Sequence, residues 1–215
     1  MSKELDIQYM RRAIAVARTN LGKTWPNPVV GCVVADGETV LAEAATGVGG
    51  RPHAEEQAIA ALGEAARGTT AYVTLEPCGA RSSGALSCSE HLVAAGVKRV
   101  VIACEDPSPF ASGQGSHRLL AAGLTVETGL LADEAFILCA GFVHRLKTGR
   151  PLVEAASGPD GYEALFEPGA QEGLAAALAR YAALGHTRLW TPEGGEVAAR
   201  LHSAGLITNP LESLR

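Results

Sequence analysis

The sequence predicts a three-layer α/β domain with a small C-terminal α/β tail. Three observations lead there. Short apolar runs of strand composition alternate with amphipathic helical stretches as far as residue 150, the pattern of a sheet sandwiched between helices with right-handed crossovers. The run at 99–104 is almost continuously apolar, as a parallel strand covered on both faces requires. After Pro151 the spacing of elements changes, and the remaining stretch of about 65 residues is small for an independent core, so it should dock on the first domain or on a second subunit. The expected division is 1–150 and 151–215.

The first element is a helix over 5–19, where Ile7, Met10, Ile14 and Ala17 recur at three- and four-residue steps and make one apolar face. Trp25-Pro26-Asn27-Pro28 is a rigid, partly extended link, because each proline disfavours helical geometry in the residue before it. Residues 29–35 read as a strand, Asp36-Gly37 as a hairpin turn, and 39–45 as the returning strand. A helix is expected over 53–66 with Glu55 and Glu56 in its first turn, where the helix dipole favours acids. A short strand at 71–75 and a short helix at 89–95, ended by Gly96, follow. Beyond the strand at 99–104 come a helical piece at 119–122, a strand at 125–128 and a longer helix at 131–146. In the tail, strands at 151–156 and 162–166 flank the turn Gly158-Pro159-Asp160-Gly161. A helix at 173–184, a strand at 187–191 and a helix at 197–204 complete it.

At 215 residues the chain is long enough to bury a sizeable core, and its 47% hydrophobic content lets it fold unaided. A net charge of −5 and a pI near 5.7 argue against a surface built to neutralise many phosphates. A small substrate is favoured over nucleic acid. No signal-like opening and no run of about twenty apolar residues is apparent, so a cytoplasmic protein without membrane contact is expected. Five cysteines, an odd number, fit a reducing compartment in which thiols stay available to metal. Cys32, Cys104 and Cys139 lie in or beside apolar runs and are expected in the core.

The stretch from His53 to Cys88 carries the chemistry. His53-Ala54-Glu55 is followed after a strand by Glu76-Pro77-Cys78, a polar loop and Cys88. One imidazole and two thiols are the right number and type for a catalytic zinc, which takes three protein ligands and keeps a fourth position open. Glu55 is then a spare carboxylate. Residues two apart do not share a helix face, so His53 and Glu55 can converge only on something beyond the helix's N-terminal end. Cys88 stands just before a helix, where the thiolate is stabilised. A solvated histidine, and a free thiol in a loop, are the plainer alternatives for His53 and Cys88. His91, His117, His144, His186 and His202 have no partner motif and read as surface or packing residues.

The His-x-Glu box with Pro-Cys and a second Cys resembles the zinc deaminases that act on nucleobases, in which the glutamate shuttles protons. Those enzymes space their cysteines two residues apart, whereas nine residues separate Cys78 from Cys88. Further strings make the resemblance narrower: Pro26-Asn27-Pro28-Val29-Val30-Gly31, Tyr72-Val73-Thr74-Leu75-Glu76-Pro77-Cys78, and Asp106-Pro107-Ser108-Pro109 with Gly113 and Gly115. Together they resemble the deaminase domain of the bifunctional riboflavin-biosynthesis family over most of residues 8–152. The resemblance implies a cytidine deaminase-like fold and hydrolysis of an amino group on a diaminohydroxy-phosphoribosylaminopyrimidine. It also implies Zn2+ held by His53, Cys78 and Cys88, a proton-shuttling Glu55, and Asn27 near the substrate ring. The loop after Cys78 lacks the family's His and is one residue longer; Arg81 and Ser82 are the candidates there for the substrate's phosphate. Thr46 replaces a second expected His.

The family's other half is an NADPH-dependent reductase. Gly149-Arg150-Pro151-Leu152-Val153 resembles its beginning and Thr191-Pro192-Glu193-Gly194-Gly195 its end, with the middle missing, which implies a truncated remnant that binds no nicotinamide. A homodimer and a separate reductase for the next step are expected partners. Deamination of another small nucleobase or nucleotide is one alternative, motivated by the altered loop. A catalytically silent, zinc-stabilised scaffold is another.

Overall fold

The structure is a computed structural model that describes residues 2–81 and 84–207. Helix α1 (Lys3–Arg18) is capped by Ser2, whose side chain accepts from Leu5 N, and leads through the proline link to strands β1 (Gly31–Asp36) and β2 (Thr39–Ala45). Helix α2 (Ala54–Leu62) and a 3-10 turn at Gly63–Ala66 precede β3 (Thr70–Leu75). Then come α3 (Cys88–Ala94), β4 (Arg99–Cys104), α4 (Gln114–Ala121), β5 (Thr125–Thr128) and α5 (Ala132–Thr148). The sheet runs β2-β1-β3-β4-β5, with β1 antiparallel to both neighbours and β3, β4 and β5 parallel.

Alternation along the strands builds two cores, because successive side chains point to opposite faces. Val33 and Ala35 of β1, Tyr72 of β3 and Val101 of β4 pack with α1 and α5; Cys32 and Val34, Ala71 and Val73, Val100 and Ile102 pack with α2, α3 and α4. The sheet is thus covered on both sides, the three-layer arrangement expected. Cys32, Cys104 and Cys139 are buried as anticipated. Among the described residues no helix is long and apolar enough to cross a membrane.

Three expectations shift in detail. The helix expected over 53–66 is α2 plus a 3-10 turn, broken where Gly63 takes φ +54°. Helix α4 starts five residues before the expected 119, because the buried Glu76 carboxylate accepts from Gly113 N (3.1 Å) and Ser116 N (3.0 Å) and satisfies its first turn. In the tail, β6 (Leu152–Ala156), β7 (Ala164–Leu165), α6 (Leu174–Ala183), β8 (Arg188–Pro192) and α7 (Glu196–Ser203) form a three-stranded parallel sheet. Its order is β6-β8-β7, so the strands on either side of the 158–161 turn do not pair with each other.

A buried ion pair ties α1 to the sheet. Asp6 accepts from both Arg99 terminal nitrogens at 2.8 Å and from the Tyr72 hydroxyl at 2.6 Å. The Arg99 guanidinium holds the Asp6 carboxyl below its ordinary value, against the burial that would raise it. A depressed carboxyl stabilises the fold above the unfolded-state value of about 4 and loses that contribution as pH falls through the folded value. Arg99→Met should therefore lower urea-unfolding stability at pH 7 by roughly 2–3 kcal/mol, since it strands a buried carboxylate, and the difference from the parent should shrink below about pH 4.

Candidate metal centre

His53 is the N-cap of α2, with extended backbone (φ −70°, ψ 157°), so its ring stands off the helix end instead of along its side. Cys78 follows β3 on the Glu76-Pro77-Cys78 turn. Cys88 is the first residue of α3, one place further in than the sequence predicts, with Ser87 as the cap. Their ligand atoms all lie within 4.8 Å of one another: Nδ1 of His53 is 3.2 Å from Cys88 Sγ and 3.9 Å from Cys78 Sγ. Among the described residues no other group of three metal-capable side chains gathers in this way.

The long interval between the cysteines closes because both of its ends are pinned. Gly79 N and Ala80 N donate to Phe110 O. At the far end Ser87 and Glu90 form a reciprocal capping box, which fixes the start of α3. Ser89 then donates from N (3.2 Å) and Oγ (3.1 Å) to Cys78 O, while Cys88 N donates to Cys78 Sγ at 3.3 Å. These bonds bring the two thiols together across the nine-residue interval.

The donor set fits zinc. Bonds of about 2.3 Å to sulfur and 2.0–2.1 Å to nitrogen put tetrahedral ligand atoms roughly 3.3–3.8 Å apart, close to the two His53 distances. The hydrogen bond from Cys88, helped by His53 and opposed by burial, holds the Cys78 thiol well below its ordinary range, so one thiolate is ready for a cation.

Glu55, 3% exposed, lies beside this cluster. Burial raises its carboxyl above the ordinary value, with His53 opposing, so it is disposed to take up a proton. His53, Cys78 and Glu55 line a cavity of about 250 Å3, with Cys88 buried behind them. Asn27 and Arg81 line it too. Asn27 Nδ2 donates to Gly50 O (3.4 Å); at Gly50 (φ +85°) a Cβ would come within 2.3 Å of that nitrogen, so only glycine lets the asparagine sit there. Arg81 Nη2 donates to Glu56 Oε2 (2.9 Å) and to Cys88 Sγ (3.6 Å), while its buried Nε has no acceptor among the described residues. Ser82 lies outside the described residues. Thr46, standing where a His was expected, lines the cavity and accepts from Val30 N through Oγ1 at 2.9 Å.

Several lining residues were not anticipated. Arg51, Phe142 and Leu146 carry no motif; Phe142 and Leu146 sit one helical turn apart on α5, a spacing indistinguishable in sequence from ordinary core. Asp106 entered only as part of a motif string. It is buried, accepts from Ser108 N at 2.8 Å, and burial raises its carboxyl. Glu56, read as a first-turn acid, is the partner that holds Arg81.

Comparison with known proteins gives concordant matches. Residues 3–104 match the model of the cytidine and deoxycytidylate deaminase zinc-binding region. The riboflavin biosynthesis protein RibD of Escherichia coli K12 is 42% identical over 153 residues, 71% of this chain and 41% of that protein. The diaminohydroxyphosphoribosylamino-pyrimidine deaminase of Buchnera aphidicola (from Acyrthosiphon pisum) is 42% identical over 146 residues, 68% of this chain and 99% of that protein. Among solved structures, Acinetobacter baumannii RibD (form 2) superposes with a TM-score of 0.66 at 43% identity, covering 71% of this chain and 43% of that one. The chain thus spans about two-fifths of the length of the RibD relatives it matches.

Proposed function

The chain belongs to the diaminohydroxyphosphoribosylamino-pyrimidine deaminase family, and from that premise we propose that it is a zinc-dependent hydrolase that deaminates an amino-pyrimidine nucleotide of riboflavin biosynthesis. The observation that carries this reading is the convergence of His53, Cys78 and Cys88 beside a buried Glu55 at the end of a cavity. In this reading His53, Cys78 and Cys88 hold the ion. When bound, zinc supplies Lewis acidity that brings the pKa of water towards about 7. Glu55 is the proton carrier: it takes a proton from water and gives it to a ring nitrogen, then takes the proton of the newly added hydroxyl, which becomes the oxo group, and gives it to the departing amine. The net change exchanges an amino group for an oxo group and releases ammonia. One carboxylate suffices because it is recharged at each transfer.

Asn27 orients the ring by hydrogen bonding at its edge, and the buried Arg81 Nε offers a charged donor to the phosphoribosyl part. Ser82 is retained as a second candidate there. The cavity holds a ring, and the remainder of a nucleotide extends through the mouth between Phe110 and Leu146, both nearly half exposed. We read residues 1–150 as the catalytic domain and 151–215 as a reductase remnant, with reduction left to a separate protein. The working unit is a homodimer in the cytoplasm, where five free thiols persist.

Ammonia release by the purified zinc-loaded protein from a panel of amino-pyrimidine and amino-purine nucleotides and bases tests the reading. Turnover confined to the phosphoribosylated diaminopyrimidine is expected. Turnover of a purine alone would move the protein to another small-nucleobase deaminase, and no turnover with partner binding intact would make it a zinc-stabilised scaffold.

A further inference from the structure

The loop that carries Asn27 is held on its inner side by short-range bonds and by the 47–50 turn. Residues 21–28 form no strand, and Pro26 and Pro28 offer no N–H. Its local bonds include Lys23 N to Asn20 O (3.0 Å), Asn27 N to Thr24 O (3.1 Å) and Thr24 Oγ1 to Asn27 O (3.0 Å), and the 47–50 turn meets it through Gly49 N to Lys23 O (2.8 Å) and Asn27 Nδ2 to Gly50 O (3.4 Å). A segment without ladder bonds also depends for its position on what packs on its outer side.

That side is the tail. Asn27, Pro28 and Phe142 line the catalytic cavity on one face and, on the other, a narrow cleft whose opposite wall is Glu163, Thr187 and Arg188. The Trp25 ring lies on His186, centroids 4.3 Å apart and planes at 35°. His186 is itself seated: its Nδ1 is 3.3 Å from Glu163 Oε2, and Glu163 also accepts from Thr187 N at 2.6 Å. At Gly22 a Cβ would come within 2.6 Å of Tyr162 O, so the two backbones are in direct contact. The tail also grips α5, the helix bearing Phe142: Arg188 Nη1 donates to Ile137 O (2.8 Å), and Arg145 Nη2 donates to Ala182 O (3.0 Å).

We infer that the tail is a positioning body for the substrate cavity. Through the Trp25–His186 stack it holds the 21–28 loop, and through Arg188 it holds α5, so that Asn27 and Phe142 face the substrate in register. Its own fold is a small core around Val153, Phe166, Leu178 and Leu189.

The inference rests on the deaminase reading, and its test separates the two. Full-length His186→Ala, His186→Phe and Trp25→Leu are compared with the parent in amide hydrogen exchange over residues 20–31, in zinc content, and in KM and kcat for ammonia release. A lost aromatic contact predicts exchange over 20–31 and KM both raised about tenfold in His186→Ala and Trp25→Leu, with kcat within about twofold and zinc content unchanged. His186→Phe, which keeps a ring over Trp25, should stay near the parent. Unchanged exchange over 20–31, or KM, kcat and zinc content failing together, would overturn the inference. Should His186→Ala not fold, Trp25→Leu decides. If the parent turns over no pyrimidine, the deaminase reading falls, and exchange over 20–31 still decides whether the tail holds the loop.

Discussion

Glu55→Gln is expected to lower kcat for ammonia release by about 10^3- to 10^4-fold, with one zinc per chain retained and the fold intact. The upper end of the range for a single acid-base group applies because this carboxylate is asked to serve several proton transfers in one turnover. Glutamine preserves the shape of a side chain that is 3% exposed, so packing around His53 and Cys88 is not disturbed. The same burial that raises the carboxyl's pKa penalises its charge, and glutamine carries none. The thermal midpoint should therefore be equal to the parent's or higher. Steady-state ammonia assays, zinc quantification and calorimetry on the same preparation distinguish a lost proton carrier from a lost metal. A kcat within about tenfold of the parent would remove Glu55 from its role.

Cys88→Ser should act through the metal instead. It removes the ligand that tethers α3 to the end of β3, and the hydroxyl that replaces it is a poor zinc donor at neutral pH. Zinc content after dialysis against a chelator should fall from one per chain to below about a tenth, and ammonia release should fall with it. Stability follows by mass action: an ion held at 1,000 times its dissociation constant contributes about 4 kcal/mol, or roughly 8–16 °C in Tm for a chain of this size. The parent stripped of metal should melt at nearly the same temperature as Cys88→Ser, and readded zinc should restore the parent alone. Equal melting of zinc-loaded and stripped parent would mean that the cluster does not bind the ion with useful affinity.

Much of the fold was legible because its signals are local. The strands at 39–45, 99–104 and 125–128 carry strand composition between clear turns and were bounded correctly. What escaped depends on partners distant in the chain. Asp6, a polar residue in the first turn of α1, is buried because Arg99 and Tyr72 wait 93 and 66 residues away, whereas Ile7, expected on the apolar face, is only half-buried. The early start of α4 depends on Glu76, and the order β6-β8-β7 depends on which strand inserts between two others; neither is encoded in a window of residues.

The site divides along the same line. His53, Glu55, Cys78 and Cys88 announce themselves by residue type, since a metal needs particular donor atoms, and the structure brings all four together despite the irregular cysteine spacing. Residues that shape the cavity by volume do not. Phe142 and Leu146 are ordinary apolar helix residues until α5 lays them against the mouth, and Glu56 is an ordinary first-turn acid until Arg81 folds back onto it.

X-ray absorption at the zinc K edge of the purified protein tests the ligand set most directly. Two sulfurs at about 2.3 Å with one imidazole nitrogen and one further light atom at about 2.0–2.1 Å are predicted, falling to a single sulfur or to no bound zinc in Cys88→Ser. A shell of nitrogen and oxygen alone, or a spectrum that Cys88→Ser leaves unchanged, would contradict the account.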